Sequence, residues 1–446
     1  MWVEELSLEN IKCFDKLTLK FGSKAFSSNP ASSSRWVTLL SENGGGKTTI
    51  LQSLALMLAG PESAPQLLPR PIGWLKDEDS VGKISVRLHK DENDSGNFGQ
   101  DKKRFSFGYT QHVTGSKAIL IGTKQHNQPG IHESSGKPLA WLRQNAFSPD
   151  SEGWFAAGYG AFRRLTRSNQ VIVPTLDTPS RYTNFLSQFN EGEELAAFQQ
   201  WMIYLDYREA KQSDPDARRL FELGVSAING LLPKGVSYNS IDTEGRILFD
   251  VRGIKVSTAG LSDGYRSILG LAGDLVWRMI SAFPNSLNPL NEKGVVLIDE
   301  LDIHLHPLWQ RSIAQLLRRQ FPNIQFIVTT HSPMVAAGAG PDALTLKIVG
   351  GNESALPIKQ NLYSMDVDRI LRSDAFGLIS TFSPQTEDKI NRFSELQSKS
   401  APLQTGEIGE LEELSEFIAE SNPFGVELFS SDLEKRINSL AKVLAK

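Results

Sequence analysis

The stretch that most constrains this chain is VTLLSENGGGKTTILQSLALMLAG, residues 37–60. A short apolar run enters a glycine-rich loop, and a segment with helical spacing leaves it and stops at Gly60-Pro61. A strand-to-helix turn of this kind lets backbone N–H groups converge on phosphate oxygens, and the helix N-terminus adds the positive end of its dipole. Asn43, Gly44, Gly45 and Gly46 supply the conformational freedom. Lys47 stands where an ammonium reaches terminal phosphates, Thr48 where a hydroxyl ligands Mg²⁺, and Thr49 follows on the helix. The pattern G-x-x-x-x-G-K-[ST] calls for a glycine where this chain has Ser41. Three consecutive glycines cover the tight turn beside the phosphate, so Ser41 at the loop entrance is a mild departure. Taken alone, the stretch is a nucleotide site or a glycine-rich turn that resembles one.

The 446 residues exceed the size at which one hydrophobic core stops growing, so two or more lobes are expected. An apolar fraction of 40% with 22% charged residues argues against global disorder. A net charge of −4 excludes a generally basic protein that coats nucleic acid, although a local basic groove stays open. The lone Cys13 makes no intrachain disulfide or cysteine-based zinc site and fits a reducing compartment. The opening MWVEELSLEN lacks the basic and apolar regions of a signal peptide, and no apolar run nears the ~20 residues that span a bilayer. A cytoplasmic protein with no membrane partner is expected.

Three further stretches carry chemistry. KGVVLIDELDIHLHP (293–307) is an apolar strand that ends in adjacent acids. In magnesium-dependent phosphoryl chemistry Asp299 would hold the cation, and Glu300 would orient and deprotonate the attacking water. The plain alternative is a buried strand with acids at its solvent end. His304 and His306 lack a third ligand for a metal pair. QFIVTTHSP (325–333) is another buried strand, which puts His331 at the tip of a neighbour of the acidic strand, near a γ-phosphate or as an incidental loop residue. TAGLSDGYRSILGLAGDLVWRMI (258–280) opens a helix at Ser262 and Gly264, an anion-binding start or an ordinary cap.

Lysine loop, LSDG helix start, Asp-Glu strand and histidine strand follow in that order. Together they resemble the motif set of an ABC-type ATPase: Walker A, signature, Walker B and switch histidine. VEELSLENIKCFDKLTLKF is similar to the L-x-L-x-N-I-x-x-F opening of the RecF/SMC/OLD-like (AAA_21-like) branch, as DELDIHLHP is to its extended Walker B and TTHSP to its switch segment. The interval from Ser262 to Asp299 is long for a transporter subunit. LSDGYRS departs from the transporter LSGGQ, and Gln111 is a weak candidate for the Q-loop glutamine.

The resemblance, carried by residues 1–350, implies an α/β fold. It would comprise a RecA-like core sheet, an N-terminal antiparallel β-subdomain and a helical lobe near 180–235. It implies ATP and Mg²⁺ as cofactors, Glu300 and His331 as catalytic residues, and Thr48 with Asp299 on the metal. It further implies a head-to-tail dimer or higher homo-oligomer, in which Ser262 and Gly264 of one copy close on the loop of another. Asp302 would then lie near the subunit junction.

Strands are expected at 2–22, 83–90, 104–113 and 118–123, with a hairpin tip at DENDSGNFGQDKK and a loop at SSNPASSS. Helical spacing runs from about Leu186 through Leu195 to Lys211, and again over 217–232. The remainder, 351–446, reads as mostly helical, with apolar faces at Ile390, Phe393 and Leu396 and at Leu433, Ile437, Leu440 and Val443 for packing, self-assembly or partner docking. WFAAGYGAFRRLTR resembles a GYGPxRR segment of stand-alone ATPases of this kind. Its Arg163, Arg164 and Arg167 are a patch for nucleic acid, a partner or the nucleotide, or a solvated turn.

There is no room for an SMC arm between Lys47 and Ser262. Glu353, Asp366 and Asp368 are spaced wrongly for a TOPRIM nuclease, and MDVDRI reads better as a helix start. No H-N-H-like cluster is legible among the seven histidines. A short, coil-less ATPase of this kind is similar to the ATPase halves of bacterial anti-phage systems, the PtuA-like ATPases of Septu with their HNH nuclease partner among them. The leading expectation is an ATPase that regulates a separate effector such as an HNH nuclease. The alternatives are a RecF-like repair ATPase and a nucleotide-gated scaffold with little hydrolysis.

Overall fold

The computed structural model describes residues 1–22, 35–91, 94–96, 106–117, 119–121, 124–134, 136–148, 151–162, 179–190, 197–349, 355–399 and 404–421. It divides into two compact units, Met1–Ile370 with Asp374–Phe376, and Leu371–Ser373 with Gly377–Lys446.

In the first unit, alternating apolar residues make an antiparallel sheet with one buried face. It comprises β1 (Trp2–Ile11), β2 (Phe14–Lys20), β4 (Gly82–His89), β5 (Ser106–Thr114) and β8 (Gly130–Glu133), ordered β2-β1-β4-β5-β8. Val3, Leu6, Leu8 and Ile11 of β1 are wholly buried; Leu6 and Leu8 keep the period of two, which an irregularity between Val3 and Glu5 and the left-handed Asn10 interrupt on either side. A short hairpin, β6 (Ile119–Ile121) with β7 (Lys124–His126), precedes β8.

The core sheet is built differently. β3 (Trp36–Leu40), β9 (Phe155–Tyr159), β13 (Gly294–Ile298) and β14 (Ile324–Thr329) are buried at every position, the mark of strands covered on both faces. With β15 (Leu344–Lys347) they run parallel, and β16 (Leu356–Pro357) closes one edge antiparallel, in the order β16-β15-β3-β14-β13-β9. Alternate residues serve separate cores. Val37, Leu39, Val295, Leu297 and Ile327 face α1 (Lys47–Ala59) and the antiparallel sheet, whereas Trp36, Val296, Ile298 and Phe326 face the helices behind. Helix α1 is buried nearly all round, as a helix clamped between two sheets must be. The short α2 (Ala64–Leu67) and α3 (Lys137–Asn145) complete this layer.

The second face is covered by α4 (Ala197–Gln212), α5 (Pro215–Leu231), α6 (Asp263–Ala282) and α8 (Ile313–Gln320), with a small sheet of β10 (Val236–Ile241), β11 (Ile247–Val251) and β12 (Ile254–Ser257). The helical spacing expected from Leu186 does not begin a helix there. Leu186–Gln188 is a single 3₁₀ turn, and α4 is described over Ala197–Gln212. Tertiary bonding overrides the local pattern, because this segment is tied to the edge strand: Gly158 N donates to Asn184 O (2.9 Å) and Ser187 Oγ to Gly158 O (3.1 Å).

A buried polar network fastens the same edge. Tyr159 Oη and Arg278 Nε both donate to Asp274 Oδ2 (2.9 and 2.5 Å), Arg278 Nη1 donates to Asn184 Oδ1 (2.6 Å), and Asn184 Nδ2 donates to Ala156 O (3.0 Å).

Helix α10 (Val367–Arg372) begins where MDVDRI was expected to start one, with Asp366 Oδ1 accepting from Arg369 N at 2.8 Å. In the second unit α11 (Pro384–Ser398) and α12 (Thr405–Ser421) are joined by the Arg392–Glu410 fork (2.9 and 3.0 Å) and by Lys389 over the Phe417 ring. Leu396 is buried there, and Ile390 and Phe393 are half-buried. The loop at 28–34, Leu195, Glu353, most of the 91–103 hairpin tip, and Leu433, Ile437, Leu440 and Val443 lie outside the described residues. Among the described residues no helix is long and apolar enough to cross a membrane.

Replacing Arg278 by Met strands the Asp274 carboxylate, which is 1% exposed. The expected loss is about 3–5 kcal/mol of stability, read from the midpoint of chemical denaturation.

Candidate nucleotide site

The site stands at the C-terminal ends of three adjacent strands, β3, β14 and β13, where open parallel sheets leave a crevice. From β3 the chain turns through Ser41–Gly46 into α1. Gly44 and Gly46 have φ of 77° and 85°, the left-handed region that glycine enters without strain. At Gly46 a Cβ would also run into the Phe14 ring and the Cys13 sulfur, so β2 and the turn before it press against the loop from outside.

Ser41 is not a vacant substitute for glycine. Its hydroxyl donates to Glu42 O (2.9 Å), and a Cβ on Gly45 would lie 2.5 Å from Ser41 Oγ. Lys47 Nζ donates to Ser41 O (2.9 Å), Ser41 Oγ (3.2 Å) and Glu42 O (3.2 Å). Burial pushes the Lys47 ammonium below its ordinary pKa, against the upward pull of Asp299, Glu300 and Asp302. A cation held by neutral oxygens and facing three acids is poised for an anion carrying a divalent metal. Asn43 is exposed at the loop tip, and Thr49 is buried in the first turn of α1.

Asp299 is the hub. Its Oδ2 accepts from Thr48 Oγ1 (2.7 Å), its Oδ1 accepts from Thr329 Oγ1 (2.5 Å), and its N–H donates to Tyr159 O (2.9 Å). Thr329 Oγ1 in turn accepts from Glu300 N at 2.7 Å. Glu300 has φ of 46°, a left-handed conformation costly for a residue with a Cβ and typical of side chains aimed by their surroundings. The Thr48 hydroxyl and the Asp299 carboxylate are oxygen donors of the kind Mg²⁺ takes. Together with the glycine cradle they fit a phosphate-bound Mg²⁺.

Asp302 organises the histidine segment. Its Oδ1 accepts from Thr330 Oγ1 (2.5 Å) and His331 N (3.3 Å), which leaves the His331 side chain exposed just beyond β14. α9 (Pro333–Gly338) follows, capped by Ser332. His306 caps α7 (Pro307–Gln310), accepting from Leu308 N. The described residues contain no group of three His, Cys, Asp or Glu able to hold a metal.

Ser262 and Gly264 lie elsewhere. The Ser262 side chain is exposed and makes no capping hydrogen bond, and a Cβ on Gly264 would lie 2.6 Å from His304 O. Tyr265 meets Trp309 edge-on at 4.9 Å. The start of α6 is therefore packed on the turn after β13, and among the described hydrogen bonds none joins Ser262 or Gly264 to Lys47 or Asp299.

Gln111 is wholly buried in β5. A second glutamine sits closer to the loop. Gln188, 7% exposed, lies against Gly158 of β9, and its carbonyl accepts from Gln52 Nε2 (2.8 Å) one helical turn beyond Thr48. Among the described residues neither atom of its side-chain amide has a hydrogen-bond partner. Sequence reasoning missed it because only the fold brings residue 188 to α1. Thr329 was visible only as the first letter of TTH. Arg163, Arg164 and Arg167 lie outside the described residues.

The Septu protein PtuA of Bacillus mycoides (strain KBAB4) is 26% identical over 408 residues, covering 90% of this chain and 48% of that protein. The chain thus spans about half the length of that relative. A protein named "Retron Ec83 probable ATPase", from Escherichia coli, is 49% identical over 89 residues, 20% of this chain and 16% of that protein. Among solved structures, the SMC head domain from Thermotoga maritima aligns over 81% of this chain and 100% of its own, at 14% identity and a TM-score of 0.42. Residues 42–337, well over half the chain, match the family model AAA_21, described as "AAA domain, putative AbiEii toxin, Type IV TA system", and the chain belongs to that family.

Proposed function

We propose that this chain is a Mg²⁺-dependent ATPase whose complete site forms between two head-to-tail copies, and whose nucleotide state governs a separate effector in anti-phage defence. The observation that carries the reading is the hydrogen-bonded run from Thr48 through Asp299 and Thr329 to the Glu300 N–H. It joins the lysine loop, the acidic strand and the histidine strand into one unit.

The loop N–H groups of Asn43–Gly46 and the Lys47 ammonium bind and neutralise the polyphosphate, Lys47 exchanging the carbonyls of Ser41 and Glu42 for phosphate oxygens. Thr48 and Asp299, which share a hydrogen bond, would be the residues that hold the cation. Mg·ATP supplies the electrophilic phosphorus and the divalent charge. Glu300, turned toward the site by its backbone conformation, orients water and accepts its proton. His331 lies beside that water. The buried Gln188 amide is suited to contact the metal shell or the water.

The exposed Ser262 hydroxyl, uncommitted to its own helix, and Gly264 beside it would meet the loop of a second copy. The likeness to a Septu protein and a retron ATPase supports the defence role. An HNH nuclease as the effector, and nucleic acid contact through Arg163 and Arg164, belong to the same proposal.

Lys47→Ala is expected to abolish measurable ATP binding. Glu300→Gln should keep binding, lower phosphate release about 10²–10³-fold and leave an ATP-bound dimer in light scattering. Turnover near background in the wild type and unchanged in Glu300→Gln would leave only a nucleotide-gated scaffold. Asp302→Ala, which releases Thr330 and the His331 backbone, should lower kcat about 10-fold or more, as misplaced catalytic groups do. ATP affinity should change little, which equilibrium binding checks.

A further inference from the structure

The strands that carry the nucleotide site at their C-terminal ends hold a cavity at their starts. It measures about 370 Å³ and is lined by Arg35, Gln315, Arg318, Arg319, Pro322 and Asp342, with Phe321 and Ile324 behind. That volume is within the range of small-molecule sites. Arg35 immediately precedes β3 and Ile324 begins β14. Five or six strand residues at ~3.3 Å each therefore separate the cavity from the lysine loop by roughly 17–20 Å.

Its charge is unbalanced. Asp342 is the only acid in the lining, and it is already engaged by the Arg318 guanidinium, through Oδ1 at 3.0 Å and through Oδ2. Arg35 and Arg319 bind only carbonyls among the described residues, Pro322 O and Gly230 O, each at 2.9 Å. Those bonds hold the guanidiniums in position; Arg35 also acts electrostatically on Asp342, so three guanidiniums share one carboxylate. Each fork keeps further N–H donors, and two such forks at one concavity match the oxygens of a phosphate group. Phe321 is wholly buried, so it presents no open ring face on which a base could stack. Recognition would rest on the oxyanion and not on a nucleobase.

We infer that the Arg35–Arg318–Arg319 cavity is a second anion site, which takes the phosphate group of a small phosphorylated ligand at the opposite end of the core sheet from the nucleotide site. It lies outside the nucleotide site and stands or falls separately from the ATPase reading.

The test is calorimetric titration of the full chain with phenyl phosphate, in wild type, Arg35→Gln/Arg319→Gln and Lys47→Ala. The expected result is saturable binding that weakens at least 10-fold in the double arginine variant, persists in Lys47→Ala, and leaves ATP turnover in the arginine variant within about twofold of wild type. Unchanged phenyl phosphate affinity in the double variant overturns the proposal. So does loss of binding in Lys47→Ala, which would assign the phosphate to the lysine loop. Binding of a single-stranded oligonucleotide that depends on Arg35 and Arg319 and falls steeply with salt, without binding of phenyl phosphate, also overturns it. If the double variant melts lower than wild type, Arg319→Gln alone, at an exposed side chain, decides between these outcomes in the same titration.

Discussion

One carboxylate holds the working end of this molecule together. Asp299 is 4% exposed and takes hydroxyl hydrogen bonds from Thr48 on one side and Thr329 on the other. A buried charge is tolerated only when donors replace its lost hydration, and each charged hydrogen bond returns about 1.5–3 kcal/mol. The donors come from two elements distant in sequence, so satisfying Asp299 is the same event as aligning α1 with β13 and β14. The Glu300 N–H, bound to the same Thr329 hydroxyl, is carried into place with them.

That alignment rests in turn on the alternation within the core strands. Successive side chains of β3, β13 and β14 enter opposite cores, so a shift of one residue would exchange the two sets. Helix α1 is gripped between the sheets and cannot rotate to bring Thr48 elsewhere. Pressure from β2 on the loop, through Phe14 and Cys13 against Gly46, fixes the loop from outside. The rigidity of the catalytic end is a property of packing, and the hydrogen bonds refine it.

The turn after β13 has a second audience. Asp302 positions the histidine segment, and the His304 carbonyl lies against Gly264 at the start of α6. A change at the Asp299 end of this turn thus has a short physical route to the exposed Ser262.

The buried core strands were legible because short apolar runs such as GVVLI and the FIV of IQFIVT suit strands covered on both faces, and the lysine loop was legible because its chemistry is local. Ser41 could be judged a mild departure from the pattern, but its bonds to Glu42 and Lys47 depend on how the loop closes. Helical spacing from Leu186 was misleading, because bonding to Gly158 on the edge strand outweighs propensity over so short a segment. By itself, the sequence determined the order in which the residues expected to bind phosphate, metal and water follow one another. Only the tertiary structure decided that Asp299 joins Thr48 to Thr329 and through it to Glu300, that Gln188 meets α1 at Gln52, and that the start of α6 packs on the turn after β13. Those are relations between residues from about 30 to more than 200 positions apart, and no local pattern encodes them.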